Sequence, residues 1–136
     1  MDEDSVVWSD DYSVDFEAID DQHKELVRMT NTLFTGCKMG STAADIAFMK
    51  TIRDAIEYAQ THFFTEEKYM KTVNYPDFVV HKKEHDLFVA TVIESVRKFE
   101  EEKTEPIELA RFLKKWLLTH IAESDKRYAP YLEAFK

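Results

Sequence analysis

The chain has 136 residues and a formal net charge of −9, from 18 Lys and Arg against 27 Asp and Glu, a length that fits one domain over residues 1–136 with one continuous core. That charge repels nucleic-acid phosphates and anionic headgroups, and no apolar run approaches the roughly 20 residues of a membrane span, so neither nucleic acid nor a membrane is an expected partner. Two glycines, three prolines and 33% charged residues suit helices on short connections and exclude repetitive or disordered chains.

The start Met1-Asp2-Glu3-Asp4 is acidic where a secretory signal is basic, and the lone Cys37 has no internal disulfide partner, so a cytoplasmic setting is expected. Residues 1–18 lack helical periodicity. Their apolar set Trp8, Tyr12, Val14 and Phe16 is even-spaced, which predicts an extended arm laid over a hydrophobic surface.

From Ile19 onward the periodicity is helical. Asp20 reads as the N-cap of a first helix, with Ile19, His23, Leu26, Val27, Thr30, Leu33, Phe34 and Cys37 inward and Gly36 to Gly40 at its end. Ser41, Thr42 and Asp45 signal a second start, after which Phe48, Ile52, Ala55, Ala59, His62, Phe63, Glu66 and Met70 form one stripe. Asn74-Tyr75-Pro76 breaks the pattern, and a third helix runs from about Asp77 to Glu101 with Phe78, His81, His85, Phe88, Val92, Val96 and Phe99 inward. Pro106 opens a fourth, carrying Leu109, Leu113, Trp116, Leu117 and His120. Short connections make these neighbours antiparallel: an all-α, up-down four-helix bundle with an extended N-terminal arm.

His62 and Glu66 stand one turn apart, and so do His81 and His85, which is metal-ligand spacing. In an antiparallel bundle His23 near the start of the first helix, His62 near the end of the second, His81 near the start of the third and His120 near the end of the fourth all lie at one end. Five imidazoles with a buried Glu66 exceed the shell of one metal and suit two that share carboxylates. After His120 the acidic choices are Glu123 and Asp125. At about 100° per residue Glu123 lies about 60° round from His120 and Asp125 about 140°, so helical geometry alone favours Glu123. Tyr128 reads as a core cap rather than a hydrogen-bonding partner of the site.

The ordered set His62-x-x-x-Glu66, His81-x-x-x-His85 and His120-x-x-x-x-Asp125, preceded by Asp-x-Gln-His at Asp20 to His23, resembles the oxygen-binding hemerythrins, bacterial ones in particular. The match spans nearly the whole chain, from Trp8 through HFFTEE with Met70, the HKKEH segment and Trp116-Leu117 to Asp125-Lys126-Arg127-Tyr128. The resemblance implies two irons with a bridging oxo or hydroxo. One takes His81, His85 and His120, the other His23 and His62, and Glu66 and Asp125 bridge both. It implies an open position on the His23/His62 iron, where dioxygen takes one electron from each ferrous ion and the proton of the bridging hydroxide, reversibly. It also implies a pocket of Leu26, Phe63, Leu117 and Ile121. The function so implied is oxygen carriage or storage without turnover. An alternative is an oxygen- or redox-sensing domain joined to a chemotaxis or other signalling partner.

Overall fold

In the computed structural model residues 5–135 are described, so residues 1–4 of the expected arm lie outside them. Four helical rods follow one another. The first is α1 (Glu17–Lys38); the second joins α2 (Ser41–Tyr58) to α3 (Phe64–Thr72) through a π-helical segment, Ala59–Phe63; the third is α4 (Phe78–Glu100). The fourth joins α5 (Pro106–Trp116) to α6 (Lys126–Tyr128) through a longer π-helical segment, Leu117–Asp125, and ends in a 3-10 helix, Ala129–Phe135. The all-α antiparallel bundle stands as expected, with α1 packed on α2 and α5 and α4 on α2, α3 and α5.

The arm differs from expectation in one respect. A single 3-10 turn, Asp10–Tyr12, interrupts it, capped by the Ser9 hydroxyl accepting from the Asp11 N–H. Val6, Tyr12 and Val14 are buried, whereas Trp8 and Phe16 are only partly covered. Two polar side chains of α1 pin the arm. Asn31 pairs with both the N–H and the carbonyl of Val6 at 2.7 Å, and Asp20 accepts from the Ser13 hydroxyl at 2.6 Å and the Val14 N–H at 2.8 Å. Asp20 is therefore not the N-cap. The helix starts earlier, at Glu17, because the arm supplies donors that draw the Asp20 carboxylate backwards.

Gly36 lets α1 and α2 approach: a Cβ placed on it would lie 2.5 Å from the Ala47 Cβ. Gly36→Ala should gain about 1 kcal/mol of helix propensity but lose about 1–3 kcal/mol to overpacking that Ala47, with no flexible end, cannot relieve. A net fall in the thermal midpoint is expected, and a rise would refute the close-approach role.

Two apolar clusters fill the bundle. The larger runs from Val27, Leu33 and Phe48 through Phe88 to Leu117 and Ile121; the smaller gathers Val14, Ile19, Met70, Tyr75, Tyr128 and Leu132. Between them each rod interrupts its stripe with polar residues: His23 between Ile19 and Leu26, Glu66 between Phe63 and Met70, His81 and His85 between Phe78 and Phe88, Asp125 between Ile121 and Tyr128. Apolar walls above and below thus enclose the polar layer.

Candidate metal centre

His23, His62, Glu66, His81, His85, His120 and Asp125 are all no more than 2% exposed. Such burial of charged and imidazole groups is costly unless each has a partner. Their donor atoms form two overlapping groups, Glu66, His81, His85, His120 and Asp125 in one and His23, His62, Glu66 and Asp125 in the other, each with its atoms within 4.8 Å of one another. Glu66 and Asp125 belong to both.

Asp125 divides its oxygens between the groups. Its Oδ1 lies 2.9 Å from His81 Nε2 and 3.1 Å from His120 Nε2, while Oδ2 lies 3.0 Å from His23 Nε2. Glu66 faces both groups with the single oxygen Oε1, 3.1 Å from the Nε2 atoms of His62 and His85 and 3.7 Å from that of His81. Its Oε2 accepts from the Tyr128 hydroxyl. The expectation that Tyr128 only caps the core is thereby corrected: the buried ring does so, and its hydroxyl takes one carboxylate oxygen.

These approaches are close but mostly lack hydrogen-bond geometry. His81 Nε2, His120 Nε2 and both Asp125 oxygens have no hydrogen-bond partner, and His23 Nε2 faces His62 Nε2 at 3.1 Å. Nitrogen and oxygen donors that converge on common points while mostly unpaired with one another are the arrangement that a cation satisfies. The imidazole and carboxylate donors suit iron.

The Asp125 position follows from the π-helical segment. A π turn closes with an i→i+5 hydrogen bond, which stacks residues five apart and brings Asp125 over His120. Glu123, favoured by regular α geometry, is exposed. The second π-helical segment holds His62.

Electrostatics in the metal-free protein reflect the same convergence. Burial opposes charge on His81 and His120, yet Asp125, with Glu66 and for His120 also Glu84, outweighs it and pushes them up to about 9 and about 10. His62 goes the other way, since burial dominates and lowers it. Burial would raise Glu66, but His62, His81 and His85 hold it well below the usual carboxylate range. Asp125 is likewise held low: burial and the Glu66 charge oppose this, and His120 and His23 prevail.

The outer ring nitrogens of His62 and His85 are also held, and unequally. His62 Nδ1 meets the neutral Gln22 Oε1 at 2.6 Å, whereas His85 Nδ1 meets the Glu67 carboxylate at 2.9 Å. Glu84 lies 3.5 Å from His120 Nδ1, near it without a hydrogen bond, and is itself held by the Ser124 hydroxyl at 2.8 Å. Gln22, Glu67 and Glu84 were not identifiable as such partners from spacing, although each lies within four residues of a predicted ligand. The predicted pocket residues Leu26, Phe63, Leu117 and Ile121 are at most 5% exposed and share the larger apolar cluster, and Phe63 stacks on His85 with centroids 3.9 Å apart.

Residues 14–132 match the family of the hemerythrin HHE cation binding domain. The chain belongs to the hemerythrin family. A bacteriohemerythrin of Stenotrophomonas maltophilia is 31% identical over 95% of this chain and 82% of its own length, and one of Methylococcus capsulatus is 35% identical over 85% and 86%. The crystal structure of a wild-type hemerythrin superposes with a TM-score of 0.78 at 31% identity, covering 93% of this chain and 97% of the other. Hemerythrins carry oxygen at a non-haem di-iron centre rather than turning a substrate over, and this hemerythrin-family chain has the donor cluster for that chemistry. Among the described residues no helix is long and apolar enough to cross a membrane.

Proposed function

We propose that His81, His85 and His120 hold one iron, His23 and His62 hold the other, and Glu66 and Asp125 bridge them, so that dioxygen binds reversibly where the His23/His62 iron has fewer ligands. The observation that carries this reading is the pair of donor groups, five and four residues strong, that share the two carboxylates. Two ferrous ions held there would supply reversible two-electron chemistry toward dioxygen. The protein's part is to fix ligand number and to keep water and acids away. Leu26, Phe63, Leu117 and Ile121 line the apolar side of the open position and present no titratable group. Carriage or storage in the cytoplasm is the role we assign, in keeping with a lone, part-buried Cys37.

The Glu67–His85 contact makes a carboxylate–histidine–metal chain, which orients the ring and raises its basicity. Glu67→Gln should weaken metal binding by about 10–100-fold. Competition titration with a chelator measures it, and unchanged affinity would remove Glu67 from the site.

The test of the function is to reduce the protein anaerobically, assay iron per chain, then admit and withdraw oxygen while recording the visible spectrum. Two irons and a band that appears and vanishes reversibly support carriage. One metal, or bleaching with continued consumption of reductant, overturns it.

A further inference from the structure

Most of the buried polar atoms without a hydrogen bond belong to the proposed ligands; two that do not are the Tyr58 hydroxyl and the Trp116 indole N–H. Tyr58 is 6% exposed and lies one turn before His62, on whose ring it stacks at 4.9 Å and 21°. Its ring meets Phe63 edge-on at 5.6 Å and Phe88 at 5.8 Å, so apolar carbon surrounds much of it. On its outer side is a surface cavity of about 310 Å³, lined also by Gln22, Met29, Thr61 and His62. Tyr58 therefore stands between solvent and the His62 side of the centre, the side with the open position.

A buried donor left without a partner is costly, so its persistence in a packed aromatic cluster calls for an acceptor that the side chains do not provide. Resting on the oxygen-binding reading above, we propose that the Tyr58 hydroxyl donates a hydrogen bond to the small ligand held at the His23/His62 metal. The pocket of Leu26, Phe63, Leu117 and Ile121 contributes no such donor, and Phe63, which touches Tyr58, joins the two. Tyr58 is also suited to donate, since a phenol offers an O–H and is neutral at ordinary pH. A neutral donor steadies a bound oxygen ligand without protonating it, which reversibility requires.

The test compares the parent with Tyr58→Phe, each loaded with iron. The expected result is the same iron content, dioxygen release about fivefold or more faster from the variant, and azide binding to the oxidised form weakened by a similar factor, the loss of one hydrogen bond. The metal-free variant should melt no lower than the metal-free parent, because an unpaired hydroxyl has been removed. Equal release rates and equal azide affinities in two fully loaded proteins overturn this proposal alone. A lower melting temperature of the metal-free variant does the same, since the hydroxyl would then have a structural partner. A loaded parent that takes up no oxygen overturns the oxygen-binding reading and this proposal with it.

Discussion

Glu66→Gln is expected to empty both metal positions at once, whereas His62→Asn should empty only one. Glu66 Oε1 faces His62 on one side and His85 and His81 on the other, so the loss of its charge is felt by both donor groups. An amide has nearly the same shape, and its oxygen can still accept from Tyr128, so the packing at Met70 and Tyr128 is kept. Outer partners of a ligand are worth 10–100-fold in affinity, and a shared anionic ligand should exceed about 100-fold at each metal. His62 belongs to one group only, and its removal leaves the three-histidine set with both carboxylates intact. Iron analysis after gel filtration reads the difference: two per chain in the parent, one in His62→Asn and close to none in Glu66→Gln. One iron retained in Glu66→Gln would show that the carboxylate is not shared.

Stripping the metals should lower the thermal midpoint by about 10–20 °C at neutral pH. A ligand present at about 1,000 times its dissociation constant stabilises the folded chain by about 4 kcal/mol, and each kcal/mol moves the midpoint of a chain of this size by about 3–5 °C. The metal-free chain keeps five imidazoles and two carboxylates in a layer with no solvent. At neutral pH His81 and His120 there carry protons, because their values rise to about 9 and about 10, and these charges pair with Glu66 and Asp125. Their folded values lie above the unfolded value near 6.5, so this contribution is complete below about pH 6.5 and is lost as pH climbs through about 9 to 10. The iron-loaded chain behaves oppositely, since ligation requires neutral imidazoles. The gap between loaded and stripped melting curves should widen from about pH 7 to about pH 9. A gap that stays constant would mean that these two histidines do not exchange protons for metal.

The bundle is legible in the sequence because its apolar residues recur at three- and four-residue steps and Gly40 and the Asn74-to-Pro76 break punctuate them. Placement of five histidines at one end follows from antiparallel order alone. What spacing leaves open has physical causes. Counting at about 100° per residue cannot anticipate a π turn, so Asp125 rests on the resemblance while regular helical geometry points to Glu123. Asp20 has the composition of a cap, but the arm's Ser13 and Val14 compete for its carboxylate. Tyr128 looks like a core cap until the surroundings of its hydroxyl are known, and Tyr58 falls outside the predicted stripe of its helix.

The two π-helical segments carry a surplus of chain relative to the α-helices that flank them, and each contains a residue pointing into the polar layer. Convergence of the ligands therefore depends on the length of these segments as well as on the identity of the side chains they carry. Loss of one codon between Leu117 and Asp125 would swing Asp125 away from His120 while leaving the apolar stripe of α5 in register. For this architecture an in-frame change of length is a route out of metal binding in addition to the loss of a ligand such as Glu66, and substitution scans do not sample it.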